Sequence, residues 1–230
     1  MRLPSSASSC RSDPAPPDRL RRALVALGAA SALPLGALPR PARAGAQQYE
    51  PLAVAVRNAM AAQIADGRPP ARSFNDPQAR VQFIHWLGEM AERLKPRKPE
   101  YEVRMEFLRA LDYECTRAGL DRQMVLGLIQ VESAFRKYAI SSAGARGYMQ
   151  VMPFWTRVIG DGDVRALFDM RTNLRYGCVI LRHYLDIEQG DLFLALGRYN
   201  GSRGRPEYPN AVRAAWQQRW HYDPAAAPRV

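Results

Sequence analysis

Glu132 stands where an apolar residue belongs. In the run from Asp121 to Pro153, Val125, Leu128 and Ile129 fall at the first three positions of an i, i+3, i+4, i+7 helical stripe, and Glu132 takes the fourth. The acid is therefore aimed inward. A carboxyl against an apolar wall loses hydration, which disfavours its charged form and raises its pKa toward the range where a neutral acid donates a proton at pH 7. General acid catalysis at a glycosidic oxygen needs that property. A single Glu on an apolar stripe is more often a partly exposed acid at a fraying helix end, so its neighbours decide the matter.

Those neighbours are positioned by recognisable elements. Asp121 is placed to accept from the free N–H groups of the first helical turn, although Met124 stands where a capping box would carry Glu or Gln. After Phe135 the pattern dissolves into Ser141-Ser142-Ala143-Gly144-Ala145-Arg146-Gly147, a small-residue loop that lets backbone approach a ligand. Pro153 disfavours helix at Met152 and opens a new one through Phe154, Trp155, Val158 and Ile159, leaving Gln150 and Met152 on a short connector facing back toward Glu132. Farther on, Leu192, Ala195 and Leu196 lead to Tyr199 at the same i+7 offset, so Tyr199 is also aimed inward. Gly201, Ser202 and Gly204 end that helix, and Tyr208 to Trp220 form the last one.

Three motifs in order carry a resemblance: Glu132-Ser133, then Gly144-Ala145-Arg146-Gly147-Tyr148-Met149-Gln150-Val151-Met152-Pro153, then Arg198-Tyr199-Asn200-Gly201. Together they resemble the lytic transglycosylase family with a goose-type lysozyme-like catalytic domain. The resemblance covers residues 101 to 212 and implies the following. Glu132 would act first as acid and then as base at the β-1,4 bond between N-acetylmuramic acid and N-acetylglucosamine, with the sugar's N-acetyl group supplying the second function and the C6 hydroxyl closing on C1 to leave a 1,6-anhydromuramoyl end. Ser141, Gln150 and Met152 match family positions lining the cleft around the acetamido group and sugar rings. Tyr199 matches the tyrosine that hydrogen-bonds near the acid, and Asn200 completes the pair and holds the loop. Tyr208 resembles the family's last motif more faintly. The chain departs from the pattern at Arg136-Lys137, where many members have Asn-Pro, at Tyr148, where they have Leu, and at Arg198, where they have Ala; Arg198 is the departure that bears on subsite contacts. Outside the motif context, Met152 also reads as core filler, Gln150 as a loop amide and Tyr199 as a packed aromatic.

No stretch of alternating polarity long enough for a sheet occurs, so the expected fold is all-α; the resemblance implies a lysozyme-like helical domain over residues 101–222, preceded by a helical segment and basic linker over 45–100 and followed by a tail at 223–230. In the preceding segment Leu52, Val56 and Met60 mark one helix, and Val81, Phe83, Ile84, Leu87 and Leu94 a second. Lys95-Pro96-Arg97-Lys98-Pro99 reads as a solvated joint.

Residues 1–44 read as a signal peptide: Arg19, Arg21 and Arg22 precede an apolar segment from Ala23 to about Leu38, and Ala42-Arg43-Ala44 offers a small-x-small cleavage pattern. That segment, interrupted by Pro34, is too short for a lasting membrane span, so the mature chain is expected in the periplasm without an integral span. The net charge is +11, and seven Arg against two Asp in residues 1–44 account for five of those charges. A basic remainder suits a polyanion: nucleic acid, anionic lipid or a carboxylate-rich wall polymer. Export and the resemblance favour peptidoglycan glycan strands over nucleic acid, although Gly144-Ala145-Arg146-Gly147 could otherwise be read as a backbone-clamping loop of a mixed α/β module. A hydrolytic muramidase on the same fold and a catalytically silent wall-binding protein are the alternatives. Asp161 and Asp163 alternate like calcium ligands but lack the spacing and closing Glu, and His85, His183 and His221 have no ligand spacing, so neither metal nor cofactor is expected. Cys115 and Cys178 each lie on an apolar stripe, and a disulfide and two buried thiols weigh equally.

Overall fold

Five helices close a ring around the loop that follows Glu132. In the computed structural model, which describes residues 47–66, 74 and 76–224, the helices are α1 Val54–Ala65, α2 Pro77–Leu94, α3 Tyr101–Ala118, α4 Arg122–Ser133, α5 Phe154–Ile159, α6 Met170–Ile187, α7 Leu192–Asn200 and α8 Glu207–Ala215. A 3-10 turn at Val164–Phe168 precedes α6, and a π-helical turn at Trp216–Trp220 continues α8. The packing runs α3 to α4, α4 to α8, α8 to α7, α7 to α6 and α6 back to α3. Outside the ring, α2 lies on α3 and the π-helical turn, while α1 lies on α5 and α6. The chain divides into Met1–Arg40 and Pro41–Val230, and all described residues belong to the second unit. The expected signal peptide and its cleavage pattern lie outside the described residues. Among the described residues there are helices and two isolated antiparallel bridges but no named strand, as the absence of alternating polarity led us to expect.

Helix starts follow capping chemistry. Asp121 accepts from Gln123 N and Met124 N at 2.7 and 3.0 Å, and Asp191 accepts from Leu194 N at 3.0 Å. Asp76 caps α2 and Pro77 occupies its first turn, where a missing N–H costs nothing. Asp169 caps α6 through Thr172 N at 2.9 Å, which starts that helix at Met170. The Asp161 and Asp163 carboxylates serve the turn itself, accepting from Asp163 N and Arg165 N.

The core is continuous from Met60 to Trp220. In α2 the buried face is Trp86, Leu87, Met90, Ala91 and Leu94, whereas Val81 and Ile84 of the expected stripe are exposed. At the close crossing of α4 with the last helical stretch, a Cβ on Gly127 would meet Trp216 N at 2.9 Å and Val212 O at 3.0 Å, so only glycine admits that approach. The carbonyls at the C-terminal end of α1 are taken up by arginines: Arg117 donates to Gln63 O and Asp66 O, and Arg175 to Ile64 O. Cys115 of α3 and Cys178 of α6 are buried free thiols, and burial pushes the Cys115 thiol well above its ordinary pKa.

The basic joint at 95–99 is exposed as expected except at Lys98. Lys98 is 7% exposed, and its Nζ donates to the Tyr148 hydroxyl at 2.7 Å while lying over the Phe107 and Tyr148 rings. Burial lowers its pKa, with Lys137 adding to the effect. The reason is Tyr148 itself: it puts a hydroxyl in the interior, and Lys98 is the group that bonds it.

Candidate active site

Glu132 ends the buried face of α4. It is 8% exposed, as its place on the stripe implied, and its Oε1 accepts from the Tyr208 hydroxyl at 2.5 Å. Burial raises the Glu132 pKa to about 8, and the Tyr208 hydrogen bond opposes part of that rise. At neutral pH this carboxyl is predominantly protonated. Tyr208 is itself buried at the start of α8, its pKa held well above the ordinary value by burial and by the adjacent Glu132.

Below the acid, the loop from Ala134 to Pro153 is a folded plug inside the ring. Two antiparallel bridges, Ile140 with Arg146 and Arg146 with Val151, double it back on itself. Ser133 Oγ donates to Tyr148 O at 2.7 Å, fixing the loop to the end of α4. Asn173, on the innermost face of α6, accepts from Met149 N at 2.8 Å and donates to Arg146 O and Leu167 O at 2.9 and 2.8 Å. A Cβ on Gly147, whose φ is +76°, would lie 2.4 Å from Asn173 Nδ2, so the glycine both turns the chain and admits the asparagine.

The expected cleft residues are brought to this plug, and most of their polar groups hold it together. Gln150 is buried at φ +50°, a left-handed backbone unusual for a side chain of this kind, and its Nε2 donates to Ala139 O and Gly147 O at 3.1 and 2.9 Å. Ser141 is half-buried, and its Oγ accepts from Ala145 N at 3.1 Å. Tyr199 is 1% exposed, and its hydroxyl donates to Met149 O at 2.8 Å rather than to Glu132. Asn200 Nδ2 donates to Ser202 Oγ at 2.9 Å, which agrees with a loop-holding role. Met152 is half-buried, and its backbone N is 3.5 Å from Gln47 Oε1. The hydrogen-bond partner of the acid is thus Tyr208, a residue that sequence reasoning noticed only faintly. Its signal was the start of the last apolar helix, and nothing in the spacing tied it to a carboxylate 76 positions earlier.

Among the described residues the other buried carboxylates are neutralised by arginine. Asp112 binds Arg122, Glu114 binds Arg175, and Glu188 binds Arg198 and Arg203. Hydrogen bonds from Arg203 and Arg198 hold Glu188 down to about 2. Glu132 alone is buried without a cation, and this is what separates it from the structural acids.

Residues 110–218 match the family described as Transglycosylase SLT domain. This part of the chain is similar to that domain. Relatives with this similarity include the "Transglycosylase" of Enterobacteria phage PRD1, 34% identical over 39% of this chain and 32% of the relative. "Membrane-bound lytic murein transglycosylase C" of Mannheimia succiniciproducens is 33% identical over 43% of this chain and 25% of the relative, and that of Actinobacillus pleuropneumoniae serotype 5b is 39% identical over 36% and 21%. The chain therefore spans about a third or less of the length of these relatives. Among solved structures, an inactive mutant of the lytic transglycosylase Slt from Pseudomonas aeruginosa is 24% identical, covering 59% of this chain and 23% of that one with a TM-score of 0.39. Glu132, Tyr208 and the plug all lie within the matched SLT residues.

Proposed function

We propose that this protein is an exported peptidoglycan lytic transglycosylase, with Glu132 as its single catalytic acid and base. The observation that carries the reading is a carboxyl buried without a cation and bonded by the Tyr208 hydroxyl, its pKa pushed up to about 8 by burial. Two further observations support it: the match to the Transglycosylase SLT domain and the names of the relatives.

In this scheme the Glu132 proton passes to the oxygen linking N-acetylmuramic acid to N-acetylglucosamine, and the C1–O bond breaks with its electron pair going to that oxygen. The carbonyl oxygen of the muramoyl acetamido group stabilises the electron-poor C1. The Glu132 carboxylate then takes the proton of the C6 hydroxyl, and O6 bonds to C1 to give the 1,6-anhydromuramoyl end. The acid is regenerated without water. A substrate-assisted route of this kind is a recognised exception to the two-carboxylate rule, and it accords with the pairing of Asp112, Glu114 and Glu188 to arginines. Ser141, Gln150, Met152, Tyr199 and Asn200 form the substrate-facing plug and its supports. Gln150 and Tyr199 act by fixing the loop and the backbone at Met149, while Ser141 and Met152, both half-buried, are the two with access to a sugar.

The test is digestion of isolated peptidoglycan sacculi, with mass spectrometry of the released muropeptides. Anhydro ends, lighter than hydrolysed ends by one water, are expected from the wild type and not from Glu132→Gln. Water-added ends alone would establish a hydrolytic muramidase, and no release across a range of pH would establish a silent wall-binding protein.

A further inference from the structure

The segment that precedes α1 runs into the candidate site. Gln47 is 4% exposed although it is a polar side chain on an irregular stretch. Its Oε1 accepts from Trp155 Nε1 at 2.9 Å and lies 3.5 Å from Met152 N. Its Nε2 is buried beside the Tyr199 hydroxyl and has no hydrogen-bond partner of good geometry. The side chain thus reaches Met152 and Tyr199, two of the residues that the cleft should use, from more than 100 positions away in sequence.

We infer that residues 47–52 are a releasable strap over the acetamido end of the site, with the Gln47 carboxamide standing where a substrate acetamido group would dock. The inference rests on the reading of the site as an aminosugar site. A primary carboxamide and an acetamido group share the same carbonyl acceptor and N–H donor. Held against Met152 N–H and the Trp155 indole, the Gln47 carbonyl makes the contacts an acetamido oxygen would make there. Its Nε2, which has only a poorly formed contact with the Tyr199 hydroxyl, marks an imperfect occupant, since a buried donor without a good hydrogen bond is destabilising. A sugar amide with better geometry would displace it.

Two further anchors can also let go, while Leu52 stays packed on the core as the strap's fixed end. Tyr49 is exposed and meets Phe154 edge-on at 5.6 Å between ring centroids. The Glu50 carboxylate accepts from Arg198 Nη1 at 2.5 and 2.7 Å, but its side chain is 48% exposed, where ion pairs contribute little. Arg198 has a second carboxylate, Glu188, at 2.7 Å, so it stays in place when Glu50 leaves. Here the arginine that departs from the family's alanine acquires a purpose: it is the latch for the strap.

The experiment uses the full chain and the variants Gln47→Ala and Glu50→Ala, with an N-acetylglucosamine tetramer as the probe. Because binding competes with a closed strap, each variant should bind the tetramer about fivefold more tightly, the equivalent of one lost neutral hydrogen bond. Backbone amide exchange at residues 48–50 and 52 of the wild type should speed up when the tetramer saturates it. Unchanged or weaker binding by both variants, or slower exchange on binding, would overturn the strap and make the segment a fixed wall of the site. Sacculus digestion separates the two readings. Anhydro ends from a wild type whose variants bind no better remove the strap alone, whereas neither digestion nor tetramer binding by any of the three proteins removes the aminosugar reading and the strap with it.

Discussion

At the scale of single side chains, the proposed chemistry rests on Glu132 and the Tyr208 hydroxyl bonded to it. On the proposed mechanism Glu132 begins each turnover protonated, so kcat/KM should be flat through neutral pH and fall above about 8, with no acidic limb arising from this group. The Tyr208 hydroxyl donates to the carboxyl and lowers its pKa, so Tyr208→Phe should move the alkaline limb to higher pH. It should also lower the maximal rate roughly tenfold to a hundredfold, the worth of a hydrogen bond to a charged group. A pH–rate series on sacculi measures both. Stability carries the opposite sign. A carboxyl whose folded pKa is raised stabilises the fold fully only below its unfolded pKa, and that contribution is lost as pH rises toward about 8. Glu132→Gln should therefore melt several degrees higher than the wild type at pH 7, and the difference should shrink as pH falls toward 4. Thermal unfolding followed by circular dichroism at the two pH values is the check.

Elements supply the geometry, and here the sequence was readable where a signal is local. The stripe Val125, Leu128, Ile129 gave the direction of Glu132, Asp121 gave the start of α4, and the i+7 position of Tyr199 gave its burial. What could not be read was which backbone atom each buried polar group serves. Gln150, Tyr199 and Ser141 have side chains that suit a sugar as well as they suit a carbonyl, and only the folded loop shows Ala139 O, Gly147 O, Met149 O and Ala145 N as their partners. Asn173 was invisible for the same reason: at the level of pattern it is one more polar residue near a helix start. Because it makes three buried hydrogen bonds to the plug, Asn173→Ala should destabilise the protein by about 2–4 kcal/mol. Urea unfolding gives that number, and the helix content of the folded variant should stay the same.

Across the whole molecule, long-range ion pairs were the least legible feature, because charge patterns name candidates without pairing them. Glu188 is the clearest case, joining the end of α6 to Arg198 on α7 and to Arg203 beyond it. Its folded pKa, held down to about 2, lies below the ordinary value, so its contribution is present above the usual carboxylate range and is lost as pH falls toward 2. Glu188→Gln should lower Tm by about 5 °C at pH 7, and the gap should close on acidification, which a calorimetric series would show. The basic joint is the same lesson at another site: a lysine among prolines looks solvated until Tyr148, 50 positions on, demands it.

The ring of helices has one more consequence, for timing. Its last member, α8, brings Tyr208 to an acid that left the ribosome 76 residues earlier, and the same helix closes the wall that dries that acid. Without that helix docked, Glu132 would lack its Tyr208 partner and one wall of its burial. On the proposed mechanism, a chain lacking α8 would keep neither the hydrogen bond nor the dry wall that proton donation by Glu132 needs.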